Sequence, residues 1–212
     1  MGASRELYED FIKRLNIVFA RISEVLNEYG RRLVLYNPCP MLSATLRGCI
    51  SKGMDFTEGG ALYNSTSVPL VGIGTAINSL LAIKKVVFDE KMMTFQQLGG
   101  LLAENFAGNP RMHEYIMNFC PKFGMDTAEV NSFGKDFFRD AARAASGMEN
   151  ERGSLYEASL FVFYLFDWMK NNIGATPDGR KAGAVLSRGM NPTEISGITN
   201  IANILHTRWP GY

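Results

Sequence analysis

Two polar, glycine-rich strings interrupt an otherwise apolar chain and constrain its fold more than any other feature. They are GMDFTEGGALYNST at residues 53–66 and NNIGATPDGRKAG at residues 171–183. Glycine adopts backbone conformations that other residues avoid, and Pro-Asp-Gly runs are typical of tight turns. We therefore predict two loops of fixed backbone shape, on which sites are often built. The alternative interpretation is that both strings are tight turns with no further role.

The segments outside these strings are mostly helical in pattern. Apolar side chains recur every three or four positions over residues 7–29, which predicts one long helix that begins at Ser4 and ends at Gly30. The order Thr176-Pro177-Asp178-Gly179 predicts a type I turn. Two capping-box pairs predict further helix starts: Thr94 with Gln97, and Asp126 with Glu129.

Three apolar segments favour strands. LVLY at residues 33–36 predicts a short buried strand that stops at two prolines, and VPLVGIG at 68–74 predicts a strand with a loop. The segment 155–168 is rich in aromatic and β-branched residues, which favours a strand over a buried helix. No repeat, charge block or linker divides the chain, so we predict one α/β domain over residues 1–212.

Composition and charge exclude several classes of protein. Apolar residues make up 46% of the chain and charged residues 20%, which is typical of globular proteins and not of disordered ones. The formal net charge is +1, so no basic field points to a nucleic-acid partner. The sequence contains no apolar run of membrane-spanning length and no signal-peptide core, so we expect no membrane partner and a cytoplasmic location.

The residue types that usually carry metal or nucleophilic chemistry are sparse. Cys39, Cys49 and Cys120 lack the CxxC spacing of a zinc site, and an odd number of cysteines argues against a disulfide framework. His113 and His206 lie far apart and have no second ligand at helical spacing. We therefore predict buried, inert thiols and no metal site.

Gly72-Ile73-Gly74 before a helix admits a second hypothesis, a phosphate-binding turn. The third glycine of a dinucleotide-binding motif is missing, since Ile77 stands in its place, and no Lys-Ser or Lys-Thr pair completes a P-loop. A close-packed turn before the helix is the favoured interpretation.

Four strings in order resemble the glycyl radical enzymes of the pyruvate formate-lyase family. This family includes formate acetyltransferase, glycerol and diol dehydratases, choline trimethylamine-lyase and related lyases. The likeness covers residues 38–189. The strings are GCISKGMDFTEGGALYN at 48–64, VGIGTAINSLLAIKKVVFDEK at 71–91, FCPKFGMD at 119–126 and GATPDGRKAG at 174–183.

The resemblance implies a fold and a chemistry. The family fold is a ten-stranded α/β barrel, of which this chain would be a helix-rich, incomplete part. A radical S-adenosylmethionine activating enzyme installs a glycyl radical in such enzymes, and a cysteine relays it to a small-molecule substrate whose C–C, C–O or C–N bond breaks. The resemblance also implies a homo-oligomer and no bound cofactor besides the protein radical.

Neither radical loop of the family matches this sequence. The family's thiyl motif is Gly-Cys-x-Glu, whereas the chain has Gly48-Cys49-Ile50-Ser51. The glycyl motif is Arg-Val-x-Gly-Tyr, whereas Pro210 precedes Gly211 here, close behind the TPDGR turn. We therefore expect no catalytic residue and no glycyl radical domain in this chain, which would be inactive alone.

Position relative to the family strings gives four residues that line a pocket or serve the structure. They are Tyr63, Asn64, Thr66 and Arg180. The leading hypothesis is a portion of a radical lyase. The alternative is a non-catalytic remnant that binds or regulates a full-length barrel.

Overall fold

The computed structural model describes residues 2–125 and 127–193 of the 212. These residues form α-helices, a two-stranded sheet, short 3₁₀ turns and one π-helix, Lys84–Asp89. The α-helices are α1 Gly2–Tyr36, α2 Pro40–Thr45, α3 Cys49–Lys52, α4 Ile73–Ile83, α5 Phe95–Ala103, α6 Pro110–Phe119, α7 Ala128–Ala145 and α8 Leu165–Trp168. The strands are β1 Thr66–Pro69 and β2 Tyr156–Ser159.

The chain divides into two compact units. The first unit lies within residues 1–9, 69–140 and 160–212, and the second within residues 10–68 and 141–159. The first contains α4 to α6, most of α7, and α8, whereas the second contains most of α1, both short helices after it, and the sheet. A single domain over residues 1–212 stays a prediction.

The core of the first unit is built from the apolar faces of α4 to α6 and of the π-helix. Burying each of these side chains removes apolar surface from water, which contributes about 1.5–3 kcal/mol for a large aliphatic or aromatic side chain. The buried members of this cluster are Ala82, Val86, Leu101, Phe106, Ile116 and Cys120.

In the second unit, Asn27 joins the long helix to a hairpin. Its Oδ1 accepts from the Tyr156 hydroxyl at 2.9 Å and from the Glu151 amide at 3.0 Å, and its Nδ2 donates to the Glu149 carbonyl at 2.9 Å. Tyr156 is only 1% exposed. A buried hydroxyl needs a partner, and Asn27 supplies it from α1.

The strand predicted at residues 33–36 is wrong, because α1 runs through Gly30 and ends at Tyr36. Gly30 is buried and takes helical geometry, and Glu28 pairs with Arg31 at 3.2 Å and Arg32 at 2.7 Å across it. Ion pairs at these spacings stabilise a helix. The helix instead ends before Pro38 and Pro40, where two prolines remove backbone donors.

Other local predictions have mixed outcomes. The Thr94–Gln97 capping box is confirmed at the start of α5, whereas Asp126 lies outside the described residues. In the segment 155–168 only β2 is a strand, and helix α8 follows it. No helix among the described residues is long and apolar enough to cross a membrane.

Candidate functional site

The TPDGR turn of the first unit is closed by hydrogen bonds within the turn itself. The Gly179 amide donates to the Thr176 carbonyl at 3.0 Å, and the Thr176 hydroxyl donates to Asp178 Oδ1 at 2.6 Å. Gly179 has φ +98°, and a Cβ there would lie 2.6 Å from Met117 Sδ. Glycine is therefore required at this position by both backbone conformation and close packing. The turn predicted from sequence is confirmed.

The Arg180 guanidinium is surrounded by oxygen atoms of its own segment. A guanidinium carries five N–H donors, and each has an acceptor here. Arg180 is 4% exposed. Its charge is therefore directed at the turn that carries it. The acceptors are Thr176 Oγ1 and the carbonyls of Ile173, Gly174, Lys181 and Ala184.

Lys122 is fully buried beneath the same turn. Its Nζ donates to the carbonyls of Ile116 at 2.8 Å and Asp178 at 3.1 Å, so it ties α6 to the turn. Burial lowers the pKa of Lys122 because desolvation disfavours the charged amine. Burial raises the pKa of the Asp178 carboxyl for the same reason. Asp178 Oδ2 has no hydrogen-bond partner among the described residues.

Two further polar side chains of helices reach this region. His113 of α6 packs against Phe106 with the two rings tilted by 35°. Its Nε2 lies 2.8 Å from the Gly179 carbonyl, and because a carbonyl only accepts, Nε2 carries the proton. Asn78 of α4 is fully buried, and its Oδ1 accepts from the Phe123 amide at 2.5 Å. Both side chains fix backbone segments that meet at the turn.

The Gly72–Gly74 segment is a close-packed turn, as predicted. Gly72 has φ +77°, and a Cβ on Gly74 would lie 3.0 Å from Ser187 Cβ. The Thr75 amide donates to Ser187 Oγ at 3.2 Å, and the Ser187 amide donates to Thr75 Oγ1 at 3.1 Å. These contacts use the amide of Thr75 in the first turn of α4, which a phosphate site would need.

These elements surround a cleft of about 480 Å³ in the first unit. Its walls carry hydroxyl, imidazole, carboxyl and cationic groups beside apolar ones. A cleft of this size and mixed lining suits a small polar metabolite. The polar side chains that line it are Thr75, His113, Asp178, Arg180, Lys181 and Thr193.

In the second unit, Asp55 organises the loop that contains the other glycine-rich string. Its Oδ1 accepts from the amide and hydroxyl of Thr57 at 3.0 and 2.7 Å, and its Oδ2 accepts from the Cys39 amide at 3.0 Å and the Ser43 hydroxyl at 2.7 Å. These hydrogen bonds lower the pKa of Asp55 to about 2, those from Thr57 contributing most. The carboxylate joins the start of α2 to the 3₁₀ turn Phe56–Glu58.

The three sequence-predicted residues of this loop have different surroundings. Tyr63 is 85% exposed, whereas the Asn64 amide group donates to the carbonyls of Gly59 at 3.1 Å and Ala61 at 2.9 Å. Thr66 Oγ1 accepts from Asn150 Nδ2 at 3.0 Å and Arg152 Nη2 at 2.8 Å. Arg180 belongs to the other unit.

The described residues include Cys39, Cys49 and Cys120, and all three are free thiols. Cys49 and Cys120 are buried, and Cys39 is half-buried. Gly211 lies outside the described residues, so its distance to Cys49 is untested. No group of three His, Cys, Asp and Glu side chains within residues 2–125 and 127–193 is arranged to hold a metal ion.

Sequence reasoning missed the polar groups beneath the TPDGR turn. The only signal for Lys122 was its place between Pro121 and Phe123 in an apolar string, and a lone lysine is almost always exposed. Asp55 stood inside a glycine-rich string without any indication that it would accept four hydrogen bonds.

A protein-family model and curated relatives match most of this chain. The model described as "Pyruvate formate lyase-like" matches residues 3–165. The chain is 31% identical over 195 residues to trans-4-hydroxy-L-proline dehydratase of Clostridioides difficile, covering 92% of this chain and 25% of that protein. It is 29% identical to (2S)-3-sulfopropanediol dehydratase of Klebsiella oxytoca over 76% of this chain and 20% of that protein.

The fold matches solved structures of similar enzymes. The glycerol-bound form of the B12-independent glycerol dehydratase from Clostridium butyricum superposes with a TM-score of 0.88 at 27% identity, covering 98% of this chain and 26% of that one. The chain thus spans about a quarter of the length of the relatives it matches.

Proposed function

Because the chain belongs to the pyruvate formate lyase-like family, we propose that it forms part of the barrel wall of a glycyl radical lyase. The observation that carries this proposal is the superposition of 98% of the chain on glycerol dehydratase with a TM-score of 0.88. The expected reaction is C–O bond cleavage in a small hydroxylated metabolite, since three of the similar curated proteins are named as dehydratases. Acyl transfer, as in formate acetyltransferase, is the weaker candidate because none of these three names implies it.

In this proposal the radical groups come from polypeptide outside the described residues. A glycyl radical would supply hydrogen abstraction through a cysteine thiol. This chain's own residues hold the wall: Arg180 and Lys122 fix the TPDGR turn, and Asp55 fixes the loop before β1. The complete enzyme would work in the cytoplasm as a homo-oligomer and would need a radical S-adenosylmethionine activating enzyme as its partner.

Among the four predicted residues, we assign substrate contact to Tyr63 and structural roles to the other three. Tyr63 is exposed, so its hydroxyl is free to meet a ligand. Asn64 and Thr66 are hydrogen-bonded to other residues of their own unit, and Arg180 has an acceptor for every donor. In the first unit, the Asp178 carboxyl lines the 480 Å³ cleft and its Oδ2 is buried without a hydrogen-bond partner among the described residues, so this atom is available to a ligand.

A chimera tests the proposed function. The segment of the Clostridioides difficile dehydratase that matches this chain would be replaced by this chain, and the folded product would be treated anaerobically with its activating enzyme and S-adenosylmethionine. We expect a glycyl doublet in the EPR spectrum and turnover of a hydroxylated substrate. The control is the same chimera with the radical glycine of the dehydratase part changed to alanine, which should give no doublet.

A folded chimera without a doublet would contradict the proposal. The alternative of a non-catalytic remnant predicts another result, namely that the intact chain co-purifies with a full-length enzyme and that the chimera stays silent.

A further inference from the structure

The cleft beside the TPDGR turn is lined by a carboxyl group with one unsatisfied oxygen. Asp178 is fully buried, and its Oδ1 accepts from the Thr176 hydroxyl at 2.6 Å and from the Arg180 amide at 3.2 Å. Its Oδ2 is also buried but has no hydrogen-bond partner within residues 2–125 and 127–193. Because buried carboxyl oxygens nearly always accept hydrogen bonds, a donor is missing here. Asp178 lines the cleft, so a ligand in the cleft can supply that donor.

The two buried cations of the turn do not satisfy this oxygen. Arg180 directs its donors at the Thr176 hydroxyl and at four backbone carbonyls, and Lys122 Nζ donates to the carbonyls of Ile116 and Asp178. Both cations nevertheless lie close enough to act on the Asp178 carboxyl through their charge. An additional cation beside them would be repelled, so a neutral hydroxyl suits Oδ2 better than an ammonium group does.

An exposed lysine on the wall of the same cleft favours an anion. Lys181 is exposed and forms no ion pair with a carboxylate in the described part of the chain. In the described lining, Asp178 is the single acid, whereas Arg180 and Lys181 are both basic. The net charge of these three side chains is therefore positive, which favours a ligand that carries a negative group.

The remaining lining suits a short carbon chain. The cleft has a volume of about 480 Å³, and its apolar side chains are Met117, Ala184 and Val185. Pockets that bind small molecules combine an apolar lining with a few polar groups that fix the orientation of the ligand. Here those polar groups are an acceptor, Asp178 Oδ2, and a cation, Lys181.

We propose that this cleft binds a small hydroxy carboxylate. The ligand's hydroxyl donates to Asp178 Oδ2, its carboxylate lies beside Lys181, and its carbon chain packs against the apolar lining. The inference goes beyond the proposed function, because it assigns a ligand to this chain alone and requires no glycyl radical.

Titrations of the isolated, ¹⁵N-labelled chain test the hydroxyl contact. The probes are the sodium salts of lactate and 4-hydroxybutanoate, each compared at equal ionic strength and pH 7 with its hydroxyl-free counterpart, propanoate or butanoate. Binding is followed by the amide resonances of Gly179 and Gly183, which line the cleft, with Gly53 of the second unit as the reference. We expect at least one hydroxy acid to bind about tenfold more tightly than its counterpart, because a carboxylate accepts its hydroxyl.

Two substitutions separate the hydroxyl contact from the charge contact. Asp178→Asn keeps an Oδ1 acceptor for Thr176 but places an NH₂ group at the position of Oδ2, so the preference for the hydroxy acid should fall to about onefold. Lys181→Ala should weaken the hydroxy acid and its counterpart equally, by about twofold, because an exposed ion pair contributes little. The matched control is Lys135→Ala, at an exposed lysine of α7 in the same unit, which should change neither affinity.

Several results would overturn the inference. They are equal affinities for both hydroxy acids and their counterparts, no saturable shift with any probe, or a hydroxyl preference that Asp178→Asn retains. Alanine is a further probe, and tighter binding of alanine than of lactate would show that Oδ2 takes an ammonium group instead. If the spectrum of Asp178→Asn shows an unfolded chain, the wild-type titrations and Lys181→Ala still decide, since unchanged binding in Lys181→Ala contradicts the assigned carboxylate position.

The titration and the EPR experiment fail independently. A hydroxyl preference without a glycyl doublet in the chimera would remove the proposed function and leave the binding site. A doublet without the preference would remove the binding site and leave the function.

Discussion

At the level of single residues, the planar shape of the Arg180 guanidinium determines which acceptors its side chain can reach. Lysine in its place keeps the charge but offers three donors on one nitrogen, so it cannot reach acceptors on both sides of a planar fork. We expect Arg180→Lys to lower the free energy of unfolding by about 2 kcal/mol, because buried carbonyls lose partners. Urea denaturation measures this. The neighbouring exchange Lys181→Arg, at an exposed side chain, should change little, and equal effects at both positions would contradict the assignment.

The buried Asp178 carboxyl should give the stability of the folded protein an unusual pH dependence. Its pKa is raised in the folded protein, so between its unfolded pKa of about 3.8 and the folded value the folded state binds more protons than the unfolded one. Stability should therefore fall as pH rises through this window. Asp178→Asn keeps an Oδ1 acceptor for Thr176 and removes the charge, so its stability relative to the wild type should increase from pH 4 to pH 7.

Urea midpoints across this pH range measure the effect of Asp178→Asn. Asp167→Asn, at an exposed carboxylate of the same unit, is the control and should follow the wild type. A relative stability of Asp178→Asn that does not change with pH would show that the wild-type carboxylate is not destabilised by burial.

A turn formed by neighbouring residues can be predicted from the sequence, whereas hydrogen bonds between distant residues cannot. Thr176-Pro177-Asp178-Gly179 is local, because each residue's turn preference acts within four positions, and this turn is confirmed. The acceptors of Lys122 lie 6 and 56 positions away, so no local pattern contains them. A lysine is ordinarily solvated, and only the assembled backbone shows that carbonyls replace its water.

At the scale of elements, Asp55 holds the loop between α1 and β1. Its folded pKa is about 2, below the unfolded value of about 3.8, so its stabilising effect is fully present above pH 4 and is lost as pH falls through 2. Asp55→Asn replaces the acceptor of Cys39 and Ser43 with an NH₂ group. We expect the variant to be less stable than the wild type at pH 7 and the difference to shrink toward pH 2.

Circular dichroism of thermal unfolding at both pH values measures the effect of Asp55→Asn. Asp10→Asn is the comparison, since that carboxylate is exposed and pairs only with its helical neighbour Arg14. A difference between Asp55→Asn and the wild type that persists undiminished at pH 2 would contradict the hydrogen-bond assignment.

The predicted boundaries were wrong where a short apolar run is compatible with both the helical and the strand periodicity. LVLY at residues 33–36 is too short to separate a strand from a buried helical turn by pattern alone. Gly30 suggested a helix end, but the helix continued because a packed face and ion pairs across the glycine outweigh its cost of about 1 kcal/mol. The capping box at Thr94 was predictable because its two hydrogen bonds lie within four residues.

At the scale of the whole molecule, the predicted fold class is confirmed: the chain is a helix-rich α/β part of the glycyl radical enzyme barrel. That prediction rested on the four family-like strings and their order along the chain, because particular loop shapes require particular residues. Composition and periodicity alone predicted only a mixed α/β protein. The division into two compact units was not foreseen, since no linker or composition change marks it in the sequence.

An incomplete barrel should expose surface that the complete barrel covers. We expect this surface to include the aromatic segment that follows β2. Phe161, Phe163, Tyr164 and Trp168 are 63–71% exposed within eight positions. We expect the isolated chain to self-associate through this segment, because exposed aromatic patches of this density bind one another. The association should increase with concentration in sedimentation velocity and should be accompanied by binding of an apolar dye.

The double substitution Phe161→Ser and Phe163→Ser should reduce both signals at least twofold, because it removes from the patch two rings that meet edge to face. Phe95→Ser, a single exposed ring on α5, is the comparison and should leave association nearly unchanged. In the chimera the dye should bind weakly whichever sequence is present, since the added polypeptide covers the segment. A monomer at every concentration, with one sharp unfolding transition, would mean that this part of the barrel is stable without the remainder.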